Sequence, residues 1–446
     1  MNKLRLHLAG ERPGEADDPI NQIAEMALPL EGSGDLDPLI ERIGDAHYVL
    51  LGEASHGTTE YYLSRARITQ RLIREKGFSF IAVAGDWPDC YRINRYVRNR
   101  PGFGANAAEV LHAFARWPPG CGPTGKSSLW PSGTGASTRN VRTSGRSASM
   151  VWMSTAFWVS LDAVQDYLER IDPDAAAAAR RAFRCFEPFG EDAQAYARAT
   201  ALVPASCESE VVTMLTELRQ NAPAYREDSR EGYFNAEQNA YVVRNAERYY
   251  RTMIRGDAAS WNIRDLHMAD TLDRLVRHLG PDTRAVVWEH NTHVGDARAT
   301  DMAPAGMLNA GQVARQRHGT DDVVLMGFGT HRGSVIAGAT WGAPMQRMTV
   351  PPAREGTWED LLHQAGAENK LLIFRDGEKT LGRPRGHRAI GVVYEPALER
   401  LGNYVPTVLP ERCDAFLYLD ETQALHPLHI RSEADGEPPE TYPWNV

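Results

Sequence analysis

His47-Tyr-Val-Leu-Leu51 runs straight into Gly52-Glu53-Ala-Ser-His56-Gly57. The reading of this stretch decides the fold class. A short apolar run that breaks into glycine and polar residues reads as a buried strand ending in a functional loop. Residues 58–75 follow with helical spacing, Leu63, Ile68, Leu72 and Ile73 on one side and basic residues on the other. Phe80-Ile-Ala-Val83 is a second apolar run, closing in Gly85-Asp-Trp-Pro88, and residues 89–97 again read as helix. Two strands separated by one helix make a βαβ unit, and hence a parallel sheet. Ligand sites in such sheets gather at the C-terminal strand ends, where both polar motifs sit.

Outward from this unit, the chain divides into five stretches. Residues 1–36 read as an N-terminal arm or capping helix. Residues 37–160 form the first part of an α/β core. Residues 161–279 are helical nearly throughout, with 175–182 made only of Ala and Arg, and read as an inserted helical subdomain. Residues 280–430 resume the core through Arg284-Ala-Val-Val-Trp288, Val323-Val-Leu-Met326, Ala389-Ile-Gly-Val-Val-Tyr394 and Ala415-Phe-Leu-Tyr-Leu419. Residues 431–446 are a polar, Pro-rich tail. The expected fold is thus α/β: a central, mainly parallel sheet with flanking helices and a large inserted helical subdomain.

Bulk composition narrows the function. The 446 residues carry 42% hydrophobic and 24% charged side chains and a net charge of -9, which argues against a general nucleic-acid binder. No apolar run reaches the roughly 18 residues of a membrane helix, and the N-terminus has no apolar stretch of a secretory signal. Cys90, Cys121, Cys185, Cys207 and Cys413 are odd in number and widely spaced, without a CxxC pair. That pattern suits free thiols in a reducing cytosol, so a cytoplasmic protein is expected.

Three constellations carry chemistry. In the first, Glu53 and His56 lie three residues apart at a strand end. The carboxylate can orient the imidazole, and a neutral His can take a proton from water; a loop histidine between glycines is also a common turn residue. The second is Trp288-Glu-His290-Asn-Thr-His293-Val-Gly-Asp296, again after an apolar run. His290, His293 and Asp296 suit a cleft, and together with Glu53 and His56 they contain enough donors for a metal set. Catalytic or substrate-binding histidines are the simpler reading. The third is Trp261-Asn-Ile-Arg264-Asp265-Leu-His267. Arg264 either holds a carbonyl or anion, or pairs with Asp265 to fix the insertion onto the core. Of Arg65 and Arg67, one enters the cleft and the other is solvated. Gly120-Cys-Gly-Pro-Thr-Gly125-Lys126 matches a phosphate loop by letter, but no strand precedes it and Pro131 stops any helix after it. Ser55 lies in no G-x-S-x-G elbow.

These blocks resemble the erythromycin esterase family. The resemblance rests on Leu-Gly-Glu53-Ala-Ser-His56-Gly, Gly85-Asp-Trp-Pro-Asp89, Trp261-Asn-Ile-Arg-Asp265, His290-Asn-Thr-His293-Val-Gly-Asp296 and Gly327-Phe-Gly-Thr330, and covers about residues 37–117 and 158–430. It implies metal-independent, cofactor-free hydrolysis of a carboxylic ester or macrolide-like lactone, and possible antibiotic resistance. His56 would be the base that activates water, Glu53 its orienting carboxylate, and His290 and His293 helpers in the same cleft. Arg65, Asp86, Trp87, Arg264 and Asp296 are the expected substrate-binding residues. The expected partner is a small-molecule ester or lactone, with no nucleic acid and no membrane. Alternatives are a metal-dependent hydrolase at the same cleft and a catalytically impaired binding protein on this fold.

Two departures stand out. Where the family strand before Gly-Asp-Trp-Pro usually ends in glutamate, this chain has Ala84, which cannot relay a proton. Glu289 flanks His290, and strand alternation points it to the opposite face, so it is not read as a replacement. The second departure is the segment 118–157, rich in Gly, Ser, Thr, Pro and Arg and without apolar periodicity. Residues 120–128 and 149–157 have permissible codons that, read from the third base, give Met-Trp-Ala-Asn-Arg-Glu-Val-Val and His-Gly-Leu-Asp-Val-Tyr-Ser-Leu, both family-like blocks. The expectation is a compensated frameshift across about 118–157.

Overall fold

The computed structural model describes residues 18–30, 32, 34–100, 102, 109–110, 157–189, 193–202, 206–253, 258–340, 343–374 and 381–425. Of the segment 118–157, for which a frameshift is expected, all but Phe157 lies outside the described residues, as does the tail 431–446.

The opening run is a strand, Tyr48–Leu51, with every residue buried. It is β2 of an eight-stranded sheet. The others are β1 (Leu28–Pro29), β3 (Phe80–Val83), β4 (Ala285–Trp288), β5 (Val323–Ala337), β6 (Gln346–Val350), β7 (Lys370–Ile373) and β10 (Ala415–Thr422). Their order is β1-β7-β10-β5-β2-β4-β3, with β6 on the far part of β5. β10, β5, β2, β4 and β3 are mutually parallel; β7 pairs antiparallel with β10, β1 antiparallel with β7, and β6 antiparallel with β5. The strands β8 (Arg385–Arg388) and β9 (Tyr404–Thr407) pair separately.

The sheet is covered on both sides, so its strands are apolar at successive positions instead of alternating with polar ones. On one face Val49, Leu51, Ile81, Val286, Trp288, Val324 and Met326 pack against α2 (Asp37–Ile43), α3 (Thr59–Lys76) and α4 (Trp87–Val97). On the other, Tyr48, Leu50, Phe80, Ala82, Ala285, Val287, Val323 and Leu325 meet Met268, Leu272 and Leu275 of a long helix, Ala258–Leu279. α3 starts after Thr58 and stops at Gly77, whose φ of 70° lets the chain turn off the helix. The crossover from β2 through α3 to β3 passes over β4, while β5 lies on the other side of β2. The connection from β2 thus runs toward one edge of the sheet and the later one from β4 to β5 runs back toward the other, the arrangement that opens a crevice at the C-terminal strand ends.

Between β3 and β4 the described chain is helical: α5 (Phe157–Ile171), α6 (Pro173–Phe186), α7 (Ala193–Leu202), α8 (Glu208–Gln220), α9 (Ala222–Asp228), α10 (Arg230–Met253) and α11 (Ala258–Leu279). Phe157, Leu161, Val164 and Leu168 recur at helical spacing and build a core with Ala179, Leu215, Ala240 and Val243. α6 begins at Pro173, and Asp172 caps it by accepting from the Ala175 N–H at 3.0 Å. No helix among the described residues is long and apolar enough to cross a membrane.

The structure corrects three sequence expectations. Cys185 and Cys207 are not free thiols but a disulfide, their Cα atoms 5.8 Å apart across 22 residues of sequence. α7 folds the chain back, which linear spacing cannot reveal. Residues 389–394 do not form a core strand; Ile390 and Val393 make only isolated bridges to Ser55 and Gly338. Their apolarity is spent on covering the site loop and the far part of β5. Finally, the end of the N-terminal stretch belongs to the core. α1 (Pro19–Met26) seats Ile23 against Trp358 and Leu362, and β1 extends the sheet beside β7.

Candidate active site

The loop after β2 is held by close backbone approach. The Gly52 N–H donates to the Met326 carbonyl, the Asn291 N–H to the Glu53 carbonyl and the Ile390 N–H to the Ala54 carbonyl, each at 2.8 Å. A Cβ on Gly52 would lie 2.1 Å from Asn291 Oδ1, and one on Gly57 would lie 2.0 Å from the Ile336 carbonyl oxygen. The glycines of Gly52-Glu-Ala-Ser-His-Gly57 are thus steric requirements of the loop.

Within this loop His56 Nδ1 is 2.9 Å from Glu53 Oε1. Glu53 Oε2 accepts from Arg65 Nη2 at 2.5 Å. Arg65, on α3, is only 2% exposed, its guanidinium stacked between Tyr62 at 4.4 Å and Trp288 at 4.9 Å. The arginine therefore holds the carboxylate rather than opening into a cleft. Charge-assisted bonds on both oxygens keep Glu53 pointed at the ring. In the neutral ring the Nδ1 proton goes to Glu53, which puts the basic lone pair on Nε2.

His290 lies beside it, ring centroids 4.9 Å apart. It caps α12 (Asn291–Val294), its Nδ1 accepting from the Thr292 N–H at 3.3 Å and facing the Thr292 hydroxyl at 2.8 Å. An accepting Nδ1 places the ring proton on Nε2. Asn291 anchors the same turn, donating to the Phe328 carbonyl at 2.7 Å, and Arg412 donates to the Asn291 carbonyl at 2.9 Å.

His293 is built differently. Its Nδ1 faces Asp265 Oδ1 at 2.9 Å, while Arg264 Nη2 donates to its Nε2 at 2.9 Å. The ring lies flat against Trp261, centroids 4.6 Å apart and planes within 4°. Arg264 and Asp265 therefore each take one nitrogen of His293 instead of pairing with each other. The Asp265 and Trp261 contacts were not legible as such in the sequence, although both residues sit in the third motif.

The remaining expected residues lie elsewhere. Asp86 is buried just ahead of α4. Trp87 is 1% exposed, packed on Phe234 and donating to Asn235 Oδ1 at 2.8 Å, so it ties α4 to α10. Asp296 accepts from Arg298 at 2.7 Å and Arg315 at 3.2 Å and lines a separate cavity with Arg42 and Asp414. These cations hold its carboxyl below the usual range against the opposing effect of burial. Among the described residues no group of three or more His, Cys, Asp or Glu is gathered closely enough to hold a metal ion.

Glu289 requires a revision. It follows Trp288 and so turns to the α11 face, away from His290, as alternation demands. It is nevertheless in electrostatic reach of His293, Asp265 and Arg264, and burial pushes its carboxyl up to about 8. The ladder pairing Val83 with Trp288 continues in the Ala84 N–H bond to the Trp288 carbonyl at 3.1 Å. Glu289 and Ala84 are therefore level neighbours on one face. The carboxyl set aside in the sequence belongs to the surroundings of the site.

Comparison with known proteins agrees with this architecture. The sequence model of a family described as erythromycin esterase matches residues 73–123 and 148–422, leaving unmatched a stretch inside the anomalous segment. Three solved structures share the fold. A Bacillus cereus protein has a TM-score of 0.76 at 18% identity, over 92% of this chain and all (100%) of that one. A succinoglycan biosynthesis protein has a TM-score of 0.71 at 20% identity, over 91% of this chain and 97% of that one. A variant of erythromycin esterase EreC in an open conformation has a TM-score of 0.64 at 18% identity, with the same coverage, 91% and 97%.

Proposed function

The chain belongs to the erythromycin esterase family of hydrolases, and we propose that it cleaves a carboxylic ester or lactone with water activated at His56. The observation that carries this reading is the Arg65–Glu53–His56 relay, a buried ion pair whose second oxygen orients an imidazole at the C-terminal end of the central strand. His56 Nε2 takes a proton from water as the oxygen attacks the acyl carbon. Glu53 stabilises the resulting imidazolium. The tetrahedral oxyanion is met by the Nε2–H of His290, and its collapse breaks the acyl–oxygen bond to release an acid and an alcohol. His293, engaged at both nitrogens, shapes the wall and does not serve as base.

The test is a panel of aryl esters, alkyl esters and macrocyclic lactones incubated with wild type, His56→Gln and Glu53→Gln. A general base contributes about 10²–10⁴-fold. Loss of that size in His56→Gln, with a smaller loss in Glu53→Gln, supports the reading. Unchanged turnover in a folded His56→Gln overturns it. Exposed Ala84 favours a second reading, a binding protein of weakened activity; it predicts saturable lactone binding with no turnover by the wild type.

A further inference from the structure

Among the described residues the buried carboxylates are nearly all paired. Asp265 accepts from the Ala310 N–H at 2.9 Å as well as facing His293. Glu359 holds His387 at 2.7 Å and the Arg388 N–H at 2.9 Å. Glu399 accepts from Arg388 at 2.8 Å and Tyr404 at 2.7 Å, and Glu247 from Tyr196 at 2.7 Å. Glu289 is as buried as these, 1% exposed, yet neither of its oxygens has a hydrogen-bond partner among the described residues. A buried carboxyl left unpaired costs stability, and a purely structural position would favour an apolar side chain there.

Its placement suggests what the unpaired group is for. His56, His290 and Glu53 gather toward the α3 face of the strand ends, while Glu289 stands on the α11 face, one residue before His290. The titratable or charged groups facing it are Arg264 and Asp265 on α11 and His293 on α12. Level with it on the adjacent strands are Gly52 and Ala84, neither of which titrates; Ala84 is exposed, while the Glu289 carboxyl lies buried next to it. For a carbonyl lying across these strand ends, the base would come from the α3 side and the carboxylic acid from the α11 side.

We propose that Glu289 is the acid that protonates the leaving-group oxygen in the hydrolysis proposed above, on which this inference rests. As the tetrahedral intermediate collapses, the carbon–oxygen bond breaks and its electron pair goes to the departing oxygen. That oxygen takes the carboxyl proton of Glu289 and leaves as a neutral alcohol. Glu289 is left as carboxylate, and His56 as imidazolium. Transfer of the imidazolium proton through solvent to Glu289 restores both groups. Water exclusion, with Asp265 nearby, keeps the carboxyl protonated near neutral pH.

The experiment uses the full-length protein and two esters of one acid: a p-nitrophenyl ester, whose leaving group departs without a proton, and an alkyl ester, whose leaving group needs one. Glu289→Gln is expected to lower kcat on the alkyl ester about a hundredfold and to abolish the fall of its rate at alkaline pH, while changing the p-nitrophenyl rate less than about threefold. Glu289→Asp, which keeps the acid but shortens its reach, is expected to show the same selectivity more weakly, and it decides the matter if the glutamine variant does not fold. Parallel loss on both esters, or loss on neither, overturns the proposal. His56→Gln measured alongside separates the two failures: if it retains both activities, the reading of His56 as base falls instead.

Discussion

Arg264 donates to Nε2 of His293 at 2.9 Å, and this single bond takes away the lone pair that would make His293 a base. With Nδ1 turned to Asp265 and Trp261 flat beneath the ring, His293 is held at both nitrogens and on one face. Among the described residues the helical subdomain thereby reaches His293 through α11, whose Met268, Leu272 and Leu275 pack on the sheet.

The Asp265 side chain is fully buried and serves both His293 and the Ala310 N–H at the start of an adjacent helix, Ala310–His318. Asp265→Asn turns one acceptor into a donor. A loss of about 1–3 kcal/mol in urea denaturation is expected. An unchanged midpoint would show that these bonds contribute nothing net.

Arg65 and Glu53 are both almost wholly buried, so removing one strands the charge of the other. Arg65→Leu is expected to cost roughly 3–5 kcal/mol and to abolish ester cleavage. Arg65→Leu combined with Glu53→Leu should recover at least half of the stability but none of the activity. The double-mutant cycle measures this directly, and a single variant as stable as wild type would refute it.

Glu289 gives stability a pH dependence of known sign. Its carboxyl is raised to about 8 in the folded protein, against an ordinary glutamate near 4.5, so between those values the native state holds a proton that the unfolded chain has released. This contribution is intact below the unfolded value and is lost as pH rises through about 8. Glu289→Gln should therefore match wild type near pH 4 and exceed it by roughly a few kcal/mol at pH 9. Denaturation at the two pH values checks this; a constant difference between the proteins would count against it.

The Cys185–Cys207 disulfide closes a loop spanning 22 residues within the helical bundle, and such a loop is worth about 3 kcal/mol. Reductant should lower the unfolding temperature of wild type and leave Cys185→Ser unaffected. Equal melting with and without reductant in both proteins would show that the bridge does not form in solution.

Part of the candidate site's geometry was legible in the sequence because some of its contacts are local. Glu53 and His56 share one tight loop, and the β2–α3–β3 pattern alone places that loop at a sheet crevice. The glycines at 52 and 57 mark the loop too, though the reason is tertiary: Asn291 and Ile336 lie where their Cβ atoms would be. Arg65 was recognisable as a nearby cation, but whether it faced substrate or Glu53 depended on Trp288, 223 positions away in the chain.

By itself, then, the sequence determined the β2–α3–β3 unit, the parallel core strands around it and the family blocks, since apolar period, caps and turns are set by neighbouring residues. Only the tertiary structure decided that Trp87 and Asp296 engage in packing and ion pairs, that two cysteines meet, and that Glu289 stands near His293 without a hydrogen-bond partner among the described residues. Those outcomes depend on burial and on partners from distant strands and helices. Burial and partners fix what a carboxylate or an imidazole does, and a linear spacing carries neither.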